Sequence, residues 1–139
     1  DSKAALFTNA ANNDYTDLGI KPKVSVVNLY NKVADGNNNA ECLIYTLADG
    51  SFIIVDGGFA QDADQVFRAL TELNERPDGK IVVAAWFMSH HHGDHVGAFK
   101  AMADMDYAKD IYVEQFIYNP TAATYNWRSM NAPFNYSMD

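Results

Sequence analysis

The run Ile81-Val82-Val83-Ala84-Ala85-Trp86-Phe87-Met88 is apolar at every position and gives way at once to Ser89-His90-His91-His92-Gly93-Asp94-His95. Eight apolar residues without polar alternation read as a strand buried on both faces. Such strands belong to sheets flanked by helices rather than to half-wet antiparallel sheets. In α/β sheets, ligand-bearing residues collect where strands end. The four histidines of the 139-residue chain all lie within a six-residue window just after this strand.

The rest of the chain supplies the elements that such a sheet needs. Residues 1–22 are polar and aperiodic and read as a loose N-terminal arm ending at Pro22, with residues 23–139 forming the domain. Val24 to Tyr30 is rich in β-formers. A long Asn/Asp/Gly turn at 34–39 separates it from a second strand, Glu41 to Leu47. Asp49-Gly50 signals a two-residue hairpin, and Ser51 to Val55 is the returning strand, ending at Asp56-Gly57-Gly58. From Asp62 to Arg76, apolar residues recur at helical spacing (Val66, Leu70, Leu73). Asp62 with Gln65 has the form of a capping box, and Pro77-Asp78-Gly79 stops the helix. A second helix is expected over Val96 to Tyr107 and a last strand over Ile111 to Tyr118. The aromatic, Asn-rich residues 121–139 show no clear period. Strands alternating with helices predict an α/β fold with a mixed sheet and helices on one face.

Composition narrows the partners. A net charge of −8 with scattered Lys and Arg argues against a phosphate-binding groove in this part of the chain. Cys42 is the lone cysteine, so an internal disulfide and cysteine ligation of a cluster are both excluded. Within Cys42 to Leu47 it reads as a small core residue. No apolar run reaches the roughly 18 residues that span a membrane. The chain starts without Met, as a protein trimmed of a leader would, and its Asn and Tyr content leans towards an exported bacterial protein. The compartment is otherwise open.

Chemistry points to His90-x-His92-x-Asp94-His95. In a tight loop, residues two apart share a side, so His90 and His92 can grip one ion. Asp94 and His95 can serve a second, and two ions roughly 3.5–4 Å apart are suited to hydrolysis. Imidazole with carboxylate suits zinc, with iron or manganese also open. Ser89 is placed to orient the loop through its hydroxyl. Gly93 and Gly97 allow close backbone approach. His91 is left outside the ligand set. A purification tag is excluded, because tags are uniform histidine runs at termini.

This motif, with Ser89 before it and Gly97 after it, resembles the signature of the metallo-β-lactamase-fold hydrolases. Phe52 to Gly58 is similar to that family's earlier motif, an Asp at a strand end before glycines. The hairpin followed by Asp56-Gly57-Gly58 is similar above all to the hydrolase domain of bacterial DNA-uptake channel proteins. The resemblance implies the N-terminal half of an αββα sandwich. It implies one or two zinc ions held by His90, His92, Asp94 and His95, with Asp94 also a catalytic proton carrier and Asp56 holding the ligand loop. The implied activity is attack of metal-activated water on an ester, amide or phosphodiester. Ala98 stands where the family has a second glycine. Nothing after His95 is a histidine, whereas the family draws further ligands from downstream; Asp104, Asp106, Asp110, Glu114 and Asp139 are the carboxylates there. The resemblance therefore implies a partial domain. Its implied partners are a small-molecule or phosphodiester substrate, the missing C-terminal half, and a second copy meeting it through an exposed apolar face. It also implies negligible hydrolysis by the chain alone. The alternative is a non-catalytic metal-binding or interaction module.

Overall fold

The computed structural model describes the backbone of residues 8–9 and all of residues 15–29 and 40–118. Among these residues, seven strands and two helices make an α/β arrangement around a mixed sheet, as expected. The strands are β1 (Thr8–Asn9), β2 (Lys23–Val26), β3 (Cys42–Thr46), β4 (Phe52–Asp56), β5 (Ile81–Met88), β6 (Ile111–Val113) and β7 (Phe116–Tyr118). The helices are α1 (Ala63–Leu73) and α2 (Gly93–Ala103). Across the sheet the order is β1-β6-β5-β4-β3-β2, with β7 also paired to β5. β3 is antiparallel to both of its neighbours, β2 and β4; β4, β5, β6, β7 and β1 run parallel. The stretch read as a loose arm contributes β1. Within it, Leu18 and Ile20 also donate backbone hydrogen bonds to the carbonyl of Ala48. The turn at 34–39 and residues 121–139 lie outside the described residues.

Side-chain alternation explains where the core sits. Cys42, Ile44 and Thr46 of β3 and Phe52, Ile54 and Asp56 of β4 are buried, and the residues between them are half-buried. Val66 and Leu70 of α1 and Val96, Ala98 and Met102 of α2 close over the first set in one continuous core. The opposite face carries Val24, Val26, Leu43, Tyr45, Ile53, Val55, Ala85, Phe87 and Ile117, by register with one another. It bears no charged side chain among these positions. Val24 and Val26 are 58% and 74% exposed, so this face is apolar and open at its β2 edge. No helix among the described residues is long and apolar enough to cross a membrane.

Several expected boundaries move, each for a local reason. The hairpin loop has three residues, not two: Leu47 N–H donates to Ser51 O, and Gly50 takes the left-handed conformation at φ +74°. α1 stops at Leu73 rather than Arg76: Asn74 is already extended, and its side-chain oxygen accepts from Arg76 N–H in a local turn. Asp62 does not close a capping box with Gln65; its carboxylate turns back to accept from Phe59 N–H, bracing the 3-10 turn at Ala60–Asp62. The last strand breaks into β6 and β7 at Glu114-Gln115. That break lies beside a bulge in β5, where Phe52 pairs Val83 but Ile53 pairs Ala85. α2 begins at Gly93, three residues earlier than its apolar face suggests, and ends at Ala103 before a 3-10 turn over Asp106–Asp110.

Candidate metal centre

The early start of α2 fixes the geometry of the histidine loop. His92 is extended at the helix N-cap (φ −70°, ψ 150°) and its carbonyl accepts from both His95 and Val96 N–H. Asp94 and His95 therefore stand on the first helical turn rather than on a loop, while His90 lies between the end of β5 and the cap. His90, Asp94 and His95 bring one ligand atom each to within 4.8 Å of one another, and all three are partly accessible. His92 stands beside His90, ring centroids 4.6 Å apart, but joins no such group of three among the described residues. Distance thus groups His90 with Asp94 and His95, a different division from one ion on His90 and His92 and another on Asp94 and His95. His91 packs edge-on to His92 at 5.4 Å and is not in the group.

Asp56 anchors this arrangement from the neighbouring strand. It ends β4 in the left-handed region, φ +58°, unusual for a residue with a side chain, and is only 3% exposed. Its carboxylate accepts three hydrogen bonds: from Ser89 N–H at 2.8 Å, from Ser89 Oγ at 2.7 Å, and from His95 Nδ1 at 2.8 Å. Its carbonyl accepts from Trp86 Nε1 at 3.0 Å. Ser89 Oγ is also 2.9 Å from His90 Nδ1. The serine's single proton goes to Asp56, so His90 Nδ1 is the donor to Ser89. When neutral, both His90 and His95 then carry their protons on Nδ1 and leave Nε2 with a free lone pair. That is the arrangement of a metal-binding imidazole whose other nitrogen is held by a carboxylate or hydroxyl.

Electrostatics act in opposite directions on the two imidazoles. Burial raises the Asp56 carboxyl, but the hydrogen bonds from His95 and Ser89 outweigh it and hold its pKa below the ordinary value. Burial lowers His95, and its bond to Asp56 more than reverses this, so its pKa lies above the usual imidazole value. Burial, with the neighbouring His95 and His92, pushes the His90 pKa down. Cys42, paired opposite Asp56 in β3, is fully buried, and burial raises its thiol to about 12; it is a core residue, as its sequence context suggests.

The turn after Asp56 brings the two halves of the site together. Gly58 adopts φ +88°, and its carbonyl accepts from Ala98 N–H. A Cβ on Gly97 would lie 2.6 Å from Ala60 N and 3.0 Å from the carbonyl carbon of Phe59, so α2 seats itself directly on the backbone just beyond Asp56. The residue that sequence reasoning passes over is Trp86. It lies 30 positions from Asp56, and no local pattern marks a core tryptophan as a hydrogen-bond donor.

No protein-family model matches the chain, and comparison with curated proteins and with solved structures finds no match.

Proposed function

We propose that this chain is the ligand-bearing layer of a zinc-dependent hydrolase of the metallo-β-lactamase fold, acting on an ester, amide or phosphodiester. The observation that carries the proposal is the convergence of His90, Asp94 and His95, with His95 Nδ1 tied to a buried carboxylate 39 residues away. The donors fit the ion: two imidazoles whose Nδ1 atoms are held by Ser89 and Asp56, leaving Nε2 as the ligating atom once deprotonated, and a carboxylate, with His92 adjacent. When bound, zinc would supply Lewis acidity and a lowered pKa for water. The chain's own residues do the rest. Asp56 and Ser89 fix the imidazole tautomers. Asp94, half-buried on the first turn of α2 with Oδ2 3.5 Å from His95 Nε2, is the group positioned to exchange a proton with a substrate. The open apolar face suits a sheet that meets a second layer, as the sandwich reading requires. The charge of −8 favours a small-molecule substrate over a nucleic-acid groove on this layer.

Titration calorimetry with zinc is the first test. The expected result is saturable binding that is lost in the His90→Ala/His92→Ala double variant and kept in His91→Ala; tight binding that survives the double change would overturn the proposal. A chromogenic phosphodiester, an activated ester and a β-lactam then separate activity from binding. Turnover above the free-zinc rate supports the hydrolase. Zinc binding without turnover favours a non-catalytic metal-binding module.

A further inference from the structure

We infer that Trp86 is a positioning residue for the metal centre, setting the His95 imidazole through the backbone of Asp56; this rests on the metal-site reading above. Asp56 is held at two points. Its carboxylate is fixed by Ser89 and His95, and its carbonyl by the Trp86 indole N–H. The second anchor matters because the next two residues are glycines. Gly57 and Gly58 offer little resistance to rotation, so without a partner the Asp56 carbonyl is free to turn. The left-handed conformation at φ +58° is uncommon for a residue with a side chain, and the contacts on both sides of Asp56 help to hold it. A buried carbonyl deprived of its donor also has a reason to turn, since at 3% exposure Asp56 has little access to water. Rotation there swings the carboxylate away from His95 and releases the imidazole.

Trp86 is itself rigidly aimed. It is fully buried, pairs with Ile54 across β4, and meets the Phe99 ring edge-on at a centroid distance of 4.9 Å and 80°. The bulge in β5 directs it. Side chains alternate faces along a strand, and the extra residue between the Phe52–Val83 and Ile53–Ala85 pairs inverts that alternation. Without the bulge, Trp86 would point to the outer face and Phe87 inward. With it, the indole lies on the helix side, where its N–H reaches the end of β4.

The test is Trp86→Phe, which keeps an aromatic ring in the core and removes the N–H. Long-range proton–nitrogen spectra of the metal-free protein report the His95 tautomer. In the wild type His95 should show a single, protected Nδ1–H. In Trp86→Phe that signal should broaden or vanish, and the zinc Kd should rise about tenfold, the lower end of what loss of an outer support costs a metal site. Leu70→Val, which loosens the same core from α1, should lower stability but leave the His95 signal and the zinc Kd as they were. Replacing Trp86 with benzothienylalanine, isosteric but lacking the N–H, covers the case in which Trp86→Phe fails to fold. An unchanged His95 signal and Kd in either Trp86 substitution overturns the inference, and so does an equal effect from Leu70→Val. If the wild type binds no zinc, the metal reading fails, while the His95 spectrum still decides whether Trp86 positions the ring.

Discussion

Gly97→Ala separates tertiary packing from helix propensity more sharply than any other single change in this chain. Gly97 lies inside α2 and is buried. By propensity alone, replacing an interior helical glycine with alanine should stabilise the protein by about 1 kcal/mol. The structure predicts the reverse. The added methyl would sit 2.6 Å from Ala60 N, 3.0 Å from Phe59 C and 3.1 Å from Phe59 Cα, and these are backbone atoms that cannot rotate aside. Overpacking of this kind costs up to about 3 kcal/mol. Setting about 1 kcal/mol of propensity against it leaves a net loss of about 2 kcal/mol, a fall in Tm of about 6–8 °C for a domain of this size. Urea unfolding followed by tryptophan fluorescence would measure the loss. Because the displaced segment begins three residues after Asp56, and Gly58 O is tied to Ala98 N–H, the zinc Kd should rise together with the loss of stability. A Gly97→Ala protein as stable as the wild type, or more stable, would refute the claim that α2 packs directly on this backbone.

The same geometry sets three other outcomes. In metal-free protein, Asp56 contributes stability above its ordinary pKa of 3.8 that is lost as pH falls through its lowered value. His95 contributes stability below 6.5 that is lost as pH rises through its raised value. The stability difference between wild type and Asp56→Asn should therefore be largest between those two pH values and shrink on either side, as read from urea midpoints across pH. Arg76 pins the hairpin turn through Asp49 O at 2.8 Å and pairs with Asp78 at 3.0 Å, at the end of the sheet opposite the histidines. Arg76→Ala should cost about 2 kcal/mol, discounted for the partly exposed Asp78, while calorimetry shows zinc affinity unchanged. The open apolar face should drive concentration-dependent self-association in sedimentation velocity, and Val26→Lys/Phe87→Lys should abolish it.

The strands and helices are readable where a local period sets burial: β3, β4 and β5 and the core of α1 lie where their patterns put them. Boundaries are misplaced where hydrogen bonding or strand pairing, rather than an apolar period, ends an element. The apolar face of α2 starts at Val96, but the helix starts at Gly93 because the His92 carbonyl finds two donors there. The last strand breaks at the polar pair Glu114-Gln115, beside a bulge in β5 that no composition signals. β2 is shorter than its β-formers suggest for a different reason. Beyond Val26 the pairing with β3 passes into the single bond from Val27 N–H to Cys42 O, and propensity does not register the loss of a partner.

The site is legible in the sequence as a set of residues and not as a geometry. Spacing alone pairs His90 with His92 and Asp94 with His95, because it treats all four as members of one loop. A helix starting at Gly93 changes that reckoning: it turns about 100° per residue, so Asp94 and His95 point in directions set by α2 and converge on His90. Asp56 appears in the sequence only as an acid before two glycines, a pattern that serves a turn equally well. Its role depends on the left-handed backbone, on a serine 33 residues later and on an indole 30 residues later. Two adjacent parallel strands ending side by side, β4 at Asp56 and β5 at Met88, are what bring these groups together. Here the carboxylate that orients His95 comes from the end of β4, not from β5, which leads into the ligand loop. Motif spacing can therefore identify the donors of such a centre, while its supports have to be sought at the ends of the neighbouring strands.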